Sequence, residues 1–267
     1  MKWYRVTRKR PCRICRRPDW CGYSENAAIC MRVQSDKQTQ NGGWLHVTNE
    51  PVPFIPQRPA IPETSMDARG VWQRWFDRTE DSRRRGLAES LGVDADCLKA
   101  IGCAWSPNNA FAFPMRDAGG NVIGIRLRNE QGEKWAVKGS KSGLFIPSEY
   151  SCFADGNLYL VEGPTDLAAA MTIGLRGIGR PACLGQENLI LAYLRRNQIE
   201  RLVIVTDNDE PGLRGAEKLQ AMLSILSCIW VPPAKDMREF VNYGGTYTTV
   251  QSCLKDMTWT KPQRAVA

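Results

Sequence analysis

The sequence predicts an α/β protein whose carboxyl-terminal half is a parallel sheet with helices on its faces, preceded by a small cysteine-bearing module and an intervening small α+β subdomain. Three observations predict it. From residue 158 onward, short β-type apolar runs alternate with helical stretches, the order that builds βαβ units. Cys12, Cys15, Cys21 and Cys30 fall within nineteen residues, too tight a group for a core of their own. Between these regions, residues 51–62 hold five prolines, which favour extended backbone and remove hydrogen-bond donors. The expected boundaries are residues 1–50 for the zinc-binding module, 51–66 for a proline-rich linker, 67–150 for a basic α+β subdomain, and 151–267 for the parallel-sheet domain with a short tail.

Each element has a local reason. Over residues 67–92 the positions of Val71, Trp72, Trp75 and Phe76 form one face of a helix. After Pro107, two glycine-bearing turns, Asp117–Gly120 and Asn129–Gly132, separate short β-type runs, which reads as a hairpin or meander. Residues 158–161 then form a strand, 165–173 and 186–197 helices, 202–206 a strand, 213–223 a helix and 225–231 a strand. A last short helix is expected near Lys235–Tyr243. No internal repeat or low-complexity segment is evident.

Composition narrows the chemistry. The chain has 267 residues with 36 Lys+Arg, 28 Asp+Glu and one histidine. With only His46, a three-His zinc site cannot be built, and a Ser-His-Asp triad would need that one ring. Chemistry therefore rests on carboxylates, cations and metals. Residues 1–60 carry 11 Lys+Arg against 4 Asp+Glu, and residues 1–17 hold eight cations and no anion, so a polyanion such as nucleic acid is the expected partner. The longest apolar stretches, such as Leu189–Leu194, fall far short of the ~20 residues that span a bilayer, and the basic N-terminus lacks an apolar h-region. No membrane partner and a cytoplasmic location are expected. Cys97, Cys103, Cys152, Cys183, Cys228 and Cys253 are scattered singly and are expected to be buried thiols in a reducing compartment.

The clustered cysteines follow C-x2-C-x5-C-x8-C. The C-x2-C pair is a metal knuckle, and four thiolates at ~2.3 Å from Zn²⁺ can fold a segment too short to bury a core. Five ligand candidates compete for four positions, because His46 could displace Cys21. Arg13, Arg16, Arg17 and Arg32 lie among these ligands with Trp20 and Tyr23 between them, so cations could meet a nucleic-acid strand while aromatics stack on its bases.

Acids follow the strands. The run 158–161 leads straight into Glu162-Gly-x-x-Asp166, and 202–206 leads into Asp207-x-Asp209-x-x-Gly212. Asp236, beside Lys235, follows the run 225–231. Ligands of open α/β sheets sit at the carboxyl ends of the strands, so Glu162, Asp207, Asp209 and Asp236 are expected to converge there. Oxygen-only ligands favour Mg²⁺ or Mn²⁺ over zinc and suit metal-assisted phosphoryl transfer.

Strand-E-G-x-x-D followed about forty residues later by strand-D-x-D-x-x-G resembles the TOPRIM domain of bacterial-type (DnaG-like) primases, topoisomerases, some nucleases and recombination proteins. Residues 113–128 and 134–145 resemble the stretch that precedes TOPRIM in the primases, and the N-terminal cysteines match their zinc-binding domain in position. The resemblance implies a TOPRIM-type parallel-sheet core and a primase of phage or mobile-element type, making short RNA primers on single-stranded DNA from ribonucleoside triphosphates. It implies Glu162, Asp166, Asp207, Asp209 and Asp236 as catalytic residues, with Mg²⁺ or Mn²⁺ on Glu162, Asp207 and Asp209. Arg126, Arg128, Lys134, Lys138, Lys141 and Lys235 would meet nucleotide and template. No Walker A motif occurs, so a separate replicative helicase is the partner to consider. Two departures stand out: Arg238 occupies a position where the family often carries a second aspartate, and the zinc spacing is compressed. A TOPRIM nuclease and a non-catalytic DNA-binding recombination mediator are the alternatives.

Overall fold

The computed structural model describes residues 3–39, 42–47, 66–148 and 155–260. Two compact units divide the chain, Met1–Ile61 and Pro62–Ala267. Residues 51–65 of the expected linker, and Cys152, lie outside the described residues.

The first unit is an antiparallel sheet in the order β1-β2-β3-β4, formed by β1 (Tyr4–Arg5), β2 (Gly22–Tyr23), β3 (Ala27–Cys30) and β4 (Trp44–Val47). Its buried centre is Val6 with Cys12, Cys21 and Cys30, so thiols take the place of a hydrocarbon core.

The second unit opens with three helices, α1 (Ala68–Asp77), α2 (Asp81–Leu91) and α3 (Ala95–Ile101). The single helical face expected over 67–92 is thus split, with Thr79 N–H bonding Phe76 O across the break at 3.1 Å. Trp72 is buried against the following sheet, and Val71, Trp75 and Phe76 pack partly buried beside it. That sheet is a meander of β5 (Ala104–Ser106), β6 (Ala110–Arg116), β7 (Val122–Arg128) and β8 (Lys134–Ala136), antiparallel throughout.

The remaining elements are β9 (Leu158–Glu162), α4 (Gly163–Thr172), β10 (Gly177–Arg180), α5 (Glu187–Arg196), β11 (Arg201–Val205), α6 (Glu210–Gln220), β12 (Leu226–Trp230), α7 (Met237–Asn242) and α8 (Tyr247–Lys255). The four strands are parallel in the order β10-β9-β11-β12. Alternation sorts their side chains onto two faces. Leu158, Leu160, Leu202 and Ile204 pack with α5 and α6 residues such as Tyr193 and Leu219. Tyr159, Val161, Val203 and Val205 join residues of α4, α7 and α8 and, from the meander, Phe111 and Phe113. Strand β10 and helix α8 were not expected from sequence. The thiols also differ from expectation: Cys103 and Cys228 are buried, but Cys97, Cys183 and Cys253 are only partly so; Cys97 and Cys253 lie on helices with one face toward solvent, and Cys183 lies in the loop between β10 and α5. Among the described residues no helix is long and apolar enough to cross a membrane.

Candidate active site and zinc centre

The Sγ atoms of Cys12, Cys15, Cys21 and Cys30 all lie within 4.8 Å of one another. Cys15 Sγ and Cys21 Sγ are 3.7 Å apart, close to the ~3.8 Å edge of a tetrahedron with ~2.3 Å Zn–S bonds. Backbone N–H groups of Met31 and Val33 donate to Cys21 and Cys30 sulfurs at 3.4 and 3.3 Å. Arg32 stands 3.8 and 3.9 Å from the sulfurs of Cys15 and Cys21, where its charge offsets the excess of four thiolates over one Zn²⁺. This donor set fits zinc. His46 is not part of the cluster; its Nε2 lies 3.1 Å from Val33 O.

At the carboxyl edge of the parallel sheet the acids occupy helix starts. Glu162, Asp209 and Asp236 are the N-cap residues of α4, α6 and α7. Asp209 Oδ1 accepts the Gly212 N–H at 2.7 Å, and Asp236 Oδ1 accepts the Glu239 N–H at 2.8 Å. Glu239 in turn accepts from the N–H of Lys235, the residue before the N-cap, at 2.6 Å. Two glycines of the acidic motifs have steric reasons. Gly163 has φ +84°, a left-handed backbone between strand and helix. A Cβ on Gly212 would stand 2.6 Å from Thr206 Oγ1 and 2.9 Å from Asp207 O, so only glycine lets α6 start this close to Asp207.

The Glu162 side chain, by contrast, makes no capping hydrogen bond to α4. Its Oε1 accepts instead from Nη2 of Arg180 at 3.0 Å. Asp166, in the first turn of α4, is buried and accepts the Arg238 N–H at 3.1 Å. Asn208 N–H bonds Lys235 O at 2.8 Å, which joins the two acid-bearing loops.

A cleft of about 250 Å³ is lined by Glu162, Asp166, Asp207 and Asp236 together with Arg126, Arg128, Lys134, Lys235 and Arg238. Lys138 and Lys141 are exposed on the segment after β8 and do not line this cleft, and Asp209 sits beside Asp207 just outside it. Burial pushes the Asp207 carboxyl up to about 7, with repulsion from Glu162, Asp166, Asp236 and Asp209 added. Burial and then Asp236 raise Asp166 to about 6. Glu162 is raised by burial against the opposing pull of Arg180. In the same cleft, desolvation lowers Arg128, with Arg238 adding to it, and lowers Lys134, with Arg128 adding to it. Crowded carboxylates that hold their protons this strongly are a donor set for a hard divalent cation. Glu162, Asp207 and Asp209 offer the oxygen donors a hard divalent cation takes, although among the described residues their oxygens are not drawn together as the four thiolates are.

Residues 159–241 match the family model described as Toprim-like. Over these residues the chain is similar to that family. The Toprim-like segment accounts for the parallel sheet and all five acids. In fold the chain is similar to the zinc-binding and RNA polymerase domains of Aquifex aeolicus primase, with a TM-score of 0.56 and 16% identity over 71% of this chain and 60% of that one. It is similar over more of its length to the primase fragment of the bacteriophage T7 primase-helicase protein, with a TM-score of 0.53 and 17% identity over 94% of this chain and 99% of that one. A DnaG primase catalytic domain bound to single-stranded DNA gives a TM-score of 0.56 and 13% identity over 72% and 78% of the two chains. The fold is thus similar to that of these primase structures. A protein of Mycoplasma genitalium, MG010, is 29% identical over 119 residues, 42% of this chain and 54% of that one. The chain therefore spans about half the length of that relative. Arg180 is the site residue that sequence reasoning missed.

Proposed function

We propose that this chain is a DNA primase, condensing ribonucleotides into short primers on single-stranded DNA. One observation carries the reading: in the 250 Å³ cleft, a carboxylate wall at the sheet edge shares the lining with cations of the meander and of the start of α7. Acids for ions and guanidinium and ammonium groups for phosphates, together in one cleft, are what nucleotidyl transfer requires. Fold similarity to the T7 and Aquifex primases supports it.

Mg²⁺ or Mn²⁺, bound to Glu162, Asp207 and Asp209, would supply the positive charge that activates a 3′-hydroxyl and stabilises the leaving pyrophosphate. The chain's residues do the rest. Arg126, Arg128, Lys134 and Lys235 hold triphosphate oxygens, and Arg238 stands beside Asp236, with Nη2 3.8 Å from Oδ2. The 3′-oxygen forms its bond to the α-phosphorus as the bond to pyrophosphate breaks, and the hydroxyl proton leaves toward the carboxylate wall. Asp166 and Asp236 shape that wall. The zinc module, with exposed Arg5, Arg8, Lys9, Arg13, Arg16 and Arg17, selects the template strand. A separate replicative helicase is the partner assigned to it, and the cytoplasm its location.

The test is incubation with varied single-stranded templates, labelled NTPs and Mg²⁺ or Mn²⁺, with Asp207→Asn alongside and strand cleavage assayed in the same tubes. New short oligonucleotides that fall by orders of magnitude in Asp207→Asn support the reading. Shortened input strands would replace primase by nuclease, and intact binding with neither reaction would favour a recombination mediator.

A further inference from the structure

Arg180 ends β10 in register with Glu162 at the end of β9, so both side chains leave the same sheet edge from neighbouring strands. Its side chain is 1% exposed, while that of Glu162 is 13% exposed. Glu162 and Pro181 line the acid cleft, and Arg180 does not. The guanidinium therefore stands behind the cleft wall, out of reach of a substrate.

The pairing is incomplete in a specific way. Nη2 and Nε–H form one edge of a guanidinium, the fork that a carboxylate ordinarily takes with both oxygens. Here Nη2 holds Glu162 Oε1 at 3.0 Å, yet Nε is buried with no hydrogen-bond partner. Glu162 thus rests on one prong. A two-point pair would satisfy the buried Nε–H and engage both carboxylate oxygens. The one-point grip fixes Oε1 and leaves Oε2 uncommitted at the cleft.

We infer that Arg180 is the positioning residue of Glu162, clamping one carboxylate oxygen so that the other is presented to the divalent ion. This rests on the reading of Glu162 as an ion ligand in the proposed function. Arg180 acts only through Glu162.

The experiment is Mn²⁺ titration of the zinc-loaded full chain, followed by electron paramagnetic resonance of free Mn²⁺, for wild type, Arg180→Met, Arg180→Lys, Glu162→Gln and the double variant Arg180→Met/Glu162→Gln. Thermal melting and zinc content report the fold. Arg180→Met should weaken Mn²⁺ binding by about tenfold to a hundredfold, the range for loss of a ligand's supporting partner. Arg180→Lys keeps charge and a single donor and should retain most of the affinity. The double variant should bind no more weakly than Glu162→Gln alone. A folded Arg180→Met chain with wild-type affinity, or a double variant with additive losses, overturns the inference. Should Arg180→Met not fold, the decision passes to Arg180→Lys, where affinity as low as that of Glu162→Gln would overturn it and near-wild-type affinity would support it. A wild type that binds no Mn²⁺ would instead overturn the ion site itself.

Discussion

The backbone N–H of Arg238 donates to Asp166 Oδ1 across 3.1 Å, tying the start of α7 to the first turn of α4. Asp166 thereby serves as a buried acceptor as well as a charge. The two roles separate by substitution. Asp166→Asn keeps an oxygen for the Arg238 N–H and should stay within about 1 kcal/mol of wild-type stability. Asp166→Ala leaves that donor unpaired and should cost about 1–3 kcal/mol. Urea unfolding of the two variants checks this. Equal stability would mean that water replaces the carboxylate.

The raised carboxyls make stability and ion binding depend on pH in opposite directions. Asp207 and Asp166 titrate near 3.9 when unfolded and at about 7 and about 6 in the folded chain. Between these values the folded state binds more protons than the unfolded state. Without added Mg²⁺ or Mn²⁺, these groups make stability fall as pH rises from about 4 to about 7. Ions compete with the same protons, so Mn²⁺ affinity should rise across pH 6 to 8, and the gain in Tm on adding Mn²⁺ should be larger at the upper end. Asp207→Asn removes the most strongly raised group. At pH 8 without added ions it should be more stable than wild type by about 1 kcal/mol, allowing for its partial solvent access, and it should lose most of its ion-induced gain. Thermal melts with and without Mn²⁺ at both pH values read all of these.

In the first unit, sulfur takes the place of a hydrophobic core, with Cys12, Cys21 and Cys30 at its buried centre. Zinc should therefore be a condition of its folding. Replacing Cys12 and Cys15 together by serine should abolish one equivalent of zinc and unfold residues ~10–46, while the melting of the second unit stays unchanged. Metal analysis of reduced protein, with melts of the full chain, gives the answer. Zinc content unaffected by the double substitution would remove the cysteine site.

Much of the candidate acid cluster was legible because Glu162 and Asp207 directly follow the apolar runs 158–161 and 202–206, and Asp236 comes five residues after the run 225–231. A strand that ends in a carboxylate announces both the element and its edge. The meander was legible through its turns, where Gly120 and Gly132 have φ +86°, a conformation that favours glycine. Arg180 was not legible, since β10 is the four residues Gly177–Arg180, two of them glycine, with no alternation to reveal a strand. The strands of the cysteine module, two to four residues long, are likewise too short to show a period. Helix α8 packs Val250 and Leu254 into the core, but spread over one short helix these give little periodicity.

The cations expected to serve as one group divide in space, and their variants should divide in kinetics. Lys134 lines the acid cleft, so Lys134→Ala should raise the KM for NTP and leave affinity for a single-stranded oligonucleotide nearly unchanged. Lys138 and Lys141 are exposed on the segment after β8 and do not line the cleft. A charge there reaches a strand passing over the surface more easily than a nucleotide held among the acids. Lys141→Ala should therefore lower the slope of log K against log[salt] for single-stranded DNA by ~0.7 with KM for NTP unaltered. Steady-state primer synthesis and a salt series of oligonucleotide titrations measure the two effects separately. Raised KM in Lys141→Ala with an unchanged slope would put the nucleotide over the return segment rather than in the cleft, and Arg126 and Arg128 would then become the residues to test for template contact.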